Sequence, residues 1–286
     1  MPYWAQCGIW SYSSVVPGHI GPNTSAATRR ICKMRHQAEL VRQNEAVPKI
    51  VTVAAAKGGV GKTTLAYELA QVLGAPLVDL DWDEGGATRR WGYRHEDRVR
   101  APLLAALESG RTPAPLDGKV RKPDLVPSHP DLAYHQPEPD EMARMLEKWA
   151  GEWGRPYVVI DTHPGAAHAG HGAMLAAAVV VIPTILATNE LNALEGTLKE
   201  VPDYPLLLIP NRVARHVPRP ELRRLRQLVE ASQTQVGPVV PYCRALETRK
   251  RHSAVSSEQP VPANARDFVS ALHKIGDAVR TYTSDD

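Results

Sequence analysis

Residues 51–70 read VTVAAAKGGVGKTTLAYELA, and the order of events in that stretch decides the fold. An apolar β-branched run gives way at Lys57-Gly58-Gly59-Val60-Gly61-Lys62-Thr63-Thr64, after which apolar positions recur at helical spacing from Leu65. Strand, glycine-rich loop and helix in that order make an anion cradle. The glycines let backbone N–H groups turn inward, and the helix N-terminus adds unsatisfied donors and a favourable dipole. Lys62 is placed for the β- and γ-phosphates of a nucleotide, the Thr63 hydroxyl for Mg²⁺, a hard cation that prefers oxygen, and Thr64 for the α-phosphate. Against the pattern G-x-x-x-x-G-K-[ST] the first glycine is missing, with Ala55 or Ala56 in its region, and an extra lysine, Lys57, is present. The bland alternative is a glycine-rich turn that is purely structural.

Outward from this loop, short apolar runs alternate with amphipathic stretches. KIVTVAAA, APLVDLD, PDLVPS, YVVID, AAAVVVIP, PLLLIP and VGPVVP are seven strand candidates, and Thr63 to Leu73, Asp140 to Trp153, Asn189 to Val201 and Pro220 to Ala231 read as helices between them. This order predicts an α/β fold with a mostly parallel, twisted sheet of about seven or eight strands. Because the strands are continuous Val, Leu and Ile runs, helices should cover both faces, and ligands should sit at the strands' carboxyl ends.

Composition agrees with one large domain. The chain has 286 residues, 43% apolar and 23% charged, which is ordinary for a globular protein with a sizeable core. Cys7, Cys32 and Cys243 are too few and too scattered for a disulfide framework or a paired metal site, so a reducing cytoplasm is expected. No apolar run approaches the length of a membrane span, and the first 22 residues lack the basic start and continuous apolar segment of a secretory signal. Residues 1–47 show no sustained periodicity and are read as a flexible N-terminal arm, with Met34 as an alternative translation start; residues 48–286 are read as a single domain. Tyr3, Trp4, Trp10 and Tyr12 are candidate partner contacts on the arm, although disorder is the plainer expectation.

The motif K-G-G-V-G-K-T-T resembles the deviant phosphate-binding loop of the ParA/MinD ATPases, and the resemblance extends over about residues 49–281. The nearest pattern is that of ParA/Soj-like plasmid or chromosome partition proteins without an N-terminal helix-turn-helix domain. In that family the first lysine, Lys57 here, reaches across an ATP-sandwiched homodimer to the partner's phosphates. A second cation delivered in trans stabilises transition-state charge only when the dimer forms, so hydrolysis is coupled to dimerisation.

Further residues carry the same resemblance. Val78-Asp79-Leu80-Asp81 is followed by Trp82-Asp83-Glu84-Gly85-Gly86-Ala87-Thr88, where ParA-like proteins read D-L-D-P-Q-G-N-A-T. The match implies that Asp81 orients or activates the attacking water. Trp82 replaces a proline, and one extra residue separates Asp81 from the Gly-x-Ala-Thr element, so Asp83 or Glu84 is an alternative holder of that role. Tyr157 to Asp161 matches the second acidic strand of the family, with Asp161 expected to hold the Mg²⁺ shell through water. Thr162-His163-Pro164-Gly165 resembles D-T-P-P with His163 in place of the first proline. His163 is read first as a loop substitution, since no step of the family's reaction calls for an imidazole. His168 and His171 lack an obvious acidic or Cys partner in the sequence. Ala193-Leu194-Glu195-Gly196 matches a helix start. Asn211 matches the position that reads the adenine base; capping of the next turn is the alternative.

Charge is distributed unevenly. Residues 211–252 carry ten Lys or Arg against three Glu, although the whole chain is only +3. Leu222, Leu225, Leu228 and Val229 share one predicted helical face, Arg219, Arg223 and Arg226 line an adjoining stripe, and Arg224 is a further candidate for DNA contact. A second cluster is Arg249-Lys250-Arg251. Two basic clusters in a partition-like ATPase imply sequence-neutral contact with the phosphates of double-stranded DNA.

The expected function is therefore that of an Mg²⁺-dependent, nucleoid-associated ATPase. Its ATP-bound homodimer would coat nonspecific DNA, and a ParB-like, centromere-bound partner would stimulate hydrolysis and release it. Two alternatives remain: a MinD-like membrane-cycling ATPase, which would need a basic amphipathic C-terminal helix on anionic lipid, and a nucleotide-binding adaptor with little hydrolysis. Iron proteins of the nitrogenase type would need cluster-ligating cysteines that the sequence does not supply.

Overall fold

The computed structural model describes residues 47–83, 86–94, 101–165, 167–201 and 203–284. The arm, with Tyr3, Trp4, Trp10 and Tyr12, and the alternative acid Glu84 lie outside the described residues.

Val47 to Asp286 form one compact unit. Its frame is β1 (Lys49–Val53), β2 (Leu77–Asp79), β3 (Leu125–Val126), β4 (Tyr157–Asp161), β5 (Val179–Thr184), β6 (Leu206–Pro210) and β7 (Gln235–Val236). These make a seven-stranded sheet in the order β3-β2-β4-β1-β5-β6-β7, and every ladder between them is parallel. The helices are α1 (Lys62–Leu73), α2 (Ala87–Trp91), α3 (Pro102–Ser109), α4 (Pro139–Trp153), α5 (His168–Leu175), α6 (Thr188–Glu200), α7 (Arg219–Ser232), α8 (Arg244–Glu247) and α9 (Arg266–Tyr282).

The Val and Leu runs are continuous because alternate residues serve opposite faces. Val51, Val53, Val159, Val181 and Leu207 join α1 and α9 in one core, while Ile50, Val78, Val158 and Ile160 pack with α4 and α5, and Val180, Ile182 and Leu208 with α6 and α7. The strands β2, β3 and β4 fill one half of the sheet before β5 opens the other half beside β1. The reversal at β1 is where ligands collect in open parallel sheets. Backbone pairing in register, Val53 with Asp161 and Asp79 with Asp161, brings the ends of β1, β2 and β4 to one edge.

Three expectations are corrected. The run VGPVVP yields only the last residue of β7: Pro238 and Pro241 have no N–H to donate to a ladder, and beyond Val236 a single bridge joins Val213 to Pro241. Ala193 to Gly196 lies inside α6 rather than at its start, because the buried stripe Leu191, Leu194 and Leu198 sets the helical period from Thr188 onward. On α7, Leu222 is 46% exposed and leaves the shared apolar face; Leu228 is buried, with Leu225 and Val229 packed partly beside it. Helix α9 buries Phe268, Val269, Leu272, Ile275 and Val279 in the main core. No helix among the described residues is long and apolar enough to cross a membrane.

Candidate functional site

The loop between β1 and α1 opens at the sheet's carboxyl edge. Lys57, Gly58 and Gly59 are exposed, Val60 and Lys62 are buried, and Gly61, Thr63 and Thr64 lie between. Gly61 is the N-cap of α1 at φ 91°, no side chain caps the helix, and its first turn carries no acid. The first N–H groups of α1 are thus left for an anion. A second constraint also demands glycine here: a Cβ on Gly61 would meet Asn211 Nδ2 at 2.5 Å. Asn211, buried at the end of β6, donates from Nδ2 to the Val60 carbonyl at 2.8 Å. Its amide thus braces the phosphate loop rather than capping the turn that follows. Beside it, Gly61, Thr64, Asn211, Arg212, Tyr242, Leu246 and Phe268 are among the residues lining a cavity of about 190 Å³.

Lys62 is held by an acidic clamp. Its Nζ is 3.1 Å from Asp161 Oδ1 and 3.4 Å from Asp81 Oδ2, and it donates to the Thr162 carbonyl. Burial works to discharge the ammonium, but Asp161 and Asp81 outweigh it and hold the lysine's pKa above its ordinary value. Burial raises the pKa of Asp161 against the pull of Lys62 and a hydrogen bond from Thr63. Asp161 is fully buried, and its Oδ2 has no hydrogen-bond partner among the described residues. An orphaned carboxylate oxygen beside the Thr63 hydroxyl is an all-oxygen pair that fits Mg²⁺ or one of its waters.

Asp79 is a residue whose role is not visible in sequence. Its carboxylate accepts from the Thr88 amide and the Thr88 hydroxyl, both at 2.6 Å, and from the Asp81 amide at 3.0 Å. The Thr88 hydroxyl in turn accepts from the Ser128 amide. Gly86 permits this approach, since a Cβ there would stand 2.9 Å from Asp79 Oδ2. Burial first, then the nearby Asp161, push the Asp79 pKa up to about 8, against the hydrogen bonds from Thr88 and Asp81. Asp79 thus fastens the backbone on either side of the loop carrying Asp81. The spacing of two acids in Val78-Asp79-Leu80-Asp81 was the only sequence signal.

The substituted positions Trp82 and His163 meet. Their rings stack in parallel with centroids 3.9 Å apart and an interplanar angle of 3°, and His163 Nε2 lies 3.2 Å from Asp83 Oδ2. The Asp83 amide donates to Asp81 Oδ1 at 3.2 Å. His168 has Glu138 at 3.7 Å, both exposed, and no third metal ligand joins them among the described residues.

Lys57 does not point into its own clamp: Nζ pairs with Glu190 Oε1 at 3.1 Å, on the first turn of α6. Among the arginines, Arg219, Arg223 and Arg226 are exposed on α7 and make no ion pair among the described residues. Arg224 is paired with Glu195 of α6. Arg249 is tied to Glu258 at 2.6 Å and to Ser253, and Arg251 lies 3.5 Å from Glu258; Lys250 is exposed. Sequence alone could not separate the two classes, because the partners Glu195 and Glu258 lie 29 and 9 residues away. Another buried carboxylate, Glu68 on α1, accepts from the amides of Val255 and Ser256 and from Arg90, anchoring the stretch after the second basic cluster to the phosphate-loop helix.

Comparison with known proteins agrees with this geometry. A family model described as an AAA domain, AAA_31, matches residues 48–204. The chromosome-partitioning ATPase Soj of Thermus thermophilus is 34% identical over 165 residues, covering 53% of this chain and 61% of the relative. The chromosome partitioning protein ParA of Myxococcus xanthus is 31% identical over 164 residues, covering 52% and 56%. The aligned part therefore spans about three-fifths of the length of these relatives. Among solved structures, apo McdA of Cyanothece superposes with a TM-score of 0.65 at 20% identity, covering 82% of this chain and 98% of that one. A pNOB8 ParA bound to nonspecific DNA superposes with a TM-score of 0.58 at 20% identity, covering 84% and 100%. These two likenesses show the shared fold. The match over residues 48–204, which contains the phosphate loop, places the chain in the AAA_31 family of AAA domains, with a P-loop of the ParA/MinD type.

Proposed function

We propose that the protein is a DNA-partition ATPase whose ATP-bound homodimer binds nonspecific duplex DNA. The observation that carries this reading is the division of labour between two lysines of one loop. Lys62 is buried among carboxylates inside its own chain, whereas Lys57 stands at the exposed mouth, where a second protomer's phosphates can reach it.

In this reading the nucleotide triphosphate takes Lys62 from the clamp, with the backbone of Gly58 to Thr64 and the free N–H groups of α1 around the phosphates. Thr63 and Asp161 would hold Mg²⁺, which would supply neutralisation of phosphate charge. Release of Lys62 frees Asp81 to orient the attacking water, and Asn211 sits beside the cavity for the base. Lys57 acts in trans. The exposed Arg219, Arg223 and Arg226, with Lys250 and Arg251, provide the phosphate-contacting surface, while Arg224 and Arg249 are engaged within the fold. A ParB-like partner stimulating turnover, and a nucleoid-associated location, belong to the same proposal.

A membrane-cycling role is disfavoured by α9, whose apolar face is spent on the core rather than offered to lipid. The test is duplex binding with ADP, with ATP, and with ATP in Asp81→Ala, at increasing salt. The reading requires binding that depends on ATP, weakens steeply with salt and persists longer in the variant. Binding that ignores the nucleotide, or none, overturns it.

A further inference from the structure

Beside the phosphate loop, a second group of ligand atoms converges, of which only Asp81 has a part in the proposed hydrolysis. We propose that Asp81, Asp83 and His163 form a site for a borderline transition-metal dication, of the Zn²⁺ or Co²⁺ class, distinct from the Mg²⁺ position at Thr63 and Asp161.

One atom from each of the three side chains lies within 4.8 Å of the other two. His163 Nε2 and Asp83 Oδ2 are 3.2 Å apart. Two ligands that each sit about 2.0–2.1 Å from a shared ion lie roughly 3 Å apart, so this pair needs little movement to hold one. The imidazole is already oriented: its face lies against Trp82, which in the chain stands between the two aspartates. A ring fixed this way keeps Nε2 aimed without paying to order it on binding. The Asp83 side chain is 65% exposed and the His163 side chain 21% exposed, which gives an ion a route in, while Asp81 closes the inner side.

The donor set selects the ion. One nitrogen with two carboxylates suits Zn²⁺, Co²⁺ or Mn²⁺ better than Mg²⁺, which prefers oxygen alone and keeps most of its water. Charge also permits it. Asp81 and Asp83 bring two negative charges, and Lys62 keeps Asp161 and the Thr162 carbonyl when Asp81 turns away. If the proposed ATPase cycle holds, occupancy takes Asp81 from the attacking water, so the metal restrains hydrolysis. Metal binding itself does not depend on that cycle.

The test uses chelator-treated, nucleotide-free full chain titrated with Co²⁺, read by visible absorption, and with Zn²⁺, read by competition with a chromogenic chelator and by tryptophan emission. One equivalent should bind, with an emission change that Trp82→Phe abolishes while binding remains. His163→Ala and Asp83→Asn should each weaken binding by at least about tenfold. His163→Cys keeps a ligand at the position and should bind Co²⁺ with a new thiolate charge-transfer band, which guards against reading an unfolded alanine variant as a lost ligand. Saturation that His163→Ala and Asp83→Asn leave unchanged, or no saturable binding, overturns the site. Binding without any effect on ATP turnover retains the site and removes only its regulatory consequence.

Discussion

Glu190 Oε1 accepts a hydrogen bond from Lys57 Nζ at 3.1 Å, so the lysine assigned to a second protomer is held within its own chain. That bond holds the Glu190 carboxyl below its ordinary range. The pair is solvent-facing, and exposed ion pairs contribute about 0.2–1 kcal/mol, so the tether is weak enough to exchange for a partner's phosphates. Glu190→Gln should strengthen ATP-dependent dimerisation in sedimentation by no more than about fivefold, less at high salt. Lys57→Ala should keep nucleotide binding but lose hydrolysis by about a thousandfold, as removal of a trans cation does. A wild-type rate in Lys57→Ala would contradict the trans assignment.

Gly61→Ala meets two obstacles, a φ of 91° and the Asn211 amide 2.5 Å from the new methyl. A backbone held in that region costs on the order of 1–3 kcal/mol for a residue with Cβ. Denaturant unfolding should show that loss, and calorimetry should show failed nucleotide binding. Adding Asn211→Ala removes the clash but not the strain, so stability should recover only in part.

Removing Lys62 leaves Asp161 and Asp81 facing each other without their cation. Breaking a buried pair by deleting one partner costs roughly 3–5 kcal/mol. Lys62→Ala should therefore lower nucleotide-free stability by about that much, and adding Asp161→Asn should restore part of it. Equal stabilities of the single and double variants would mean that the clamp is not under electrostatic tension.

Asp79 carries a pH signature. Its carboxyl is raised to about 8 in the fold, from an unfolded value near 4, so the native state binds more protons than the unfolded chain between those values. Its contribution is fully present below the unfolded value and is lost as pH rises through about 8. Chemical denaturation across that window should show this decline, and Asp79→Asn, which cannot ionise, should flatten it. A slope that survives the substitution would assign the effect to another group.

The arginines divide into two measurable classes. Arg219, Arg223 and Arg226 together should each remove one released counterion, so the triple alanine variant should reduce the salt slope of DNA binding by about 3 with little change in stability. Arg224→Ala and Arg249→Ala should act through the fold, loosening α7 from α6 and the segment 249–258 respectively. Thermal unfolding beside filter binding separates the two.

What could be read along the chain was whatever repeats locally. The strand-loop-helix order around Lys57 to Thr64, the seven apolar runs and the main amphipathic helices follow from continuous apolar stretches, the helical period of 3.6 and glycine placement, which are properties of neighbours in sequence. The last strand shrank and Leu222 turned to solvent because pairing and burial are settled by what lies opposite, which no local pattern reports. Only the folded sheet brings Asp81 and Asp161 together on Lys62, across separations of 19 and 99 residues, or gives Lys57 to Glu190. Trp82 and His163 looked like two unrelated departures from a motif. Parallel pairing of β2 with β4 puts the loops that follow them side by side and turns those departures into one stacked pair. Chain order thus specified which chemical groups were present and on which elements, while register between distant strands decided which of them touch.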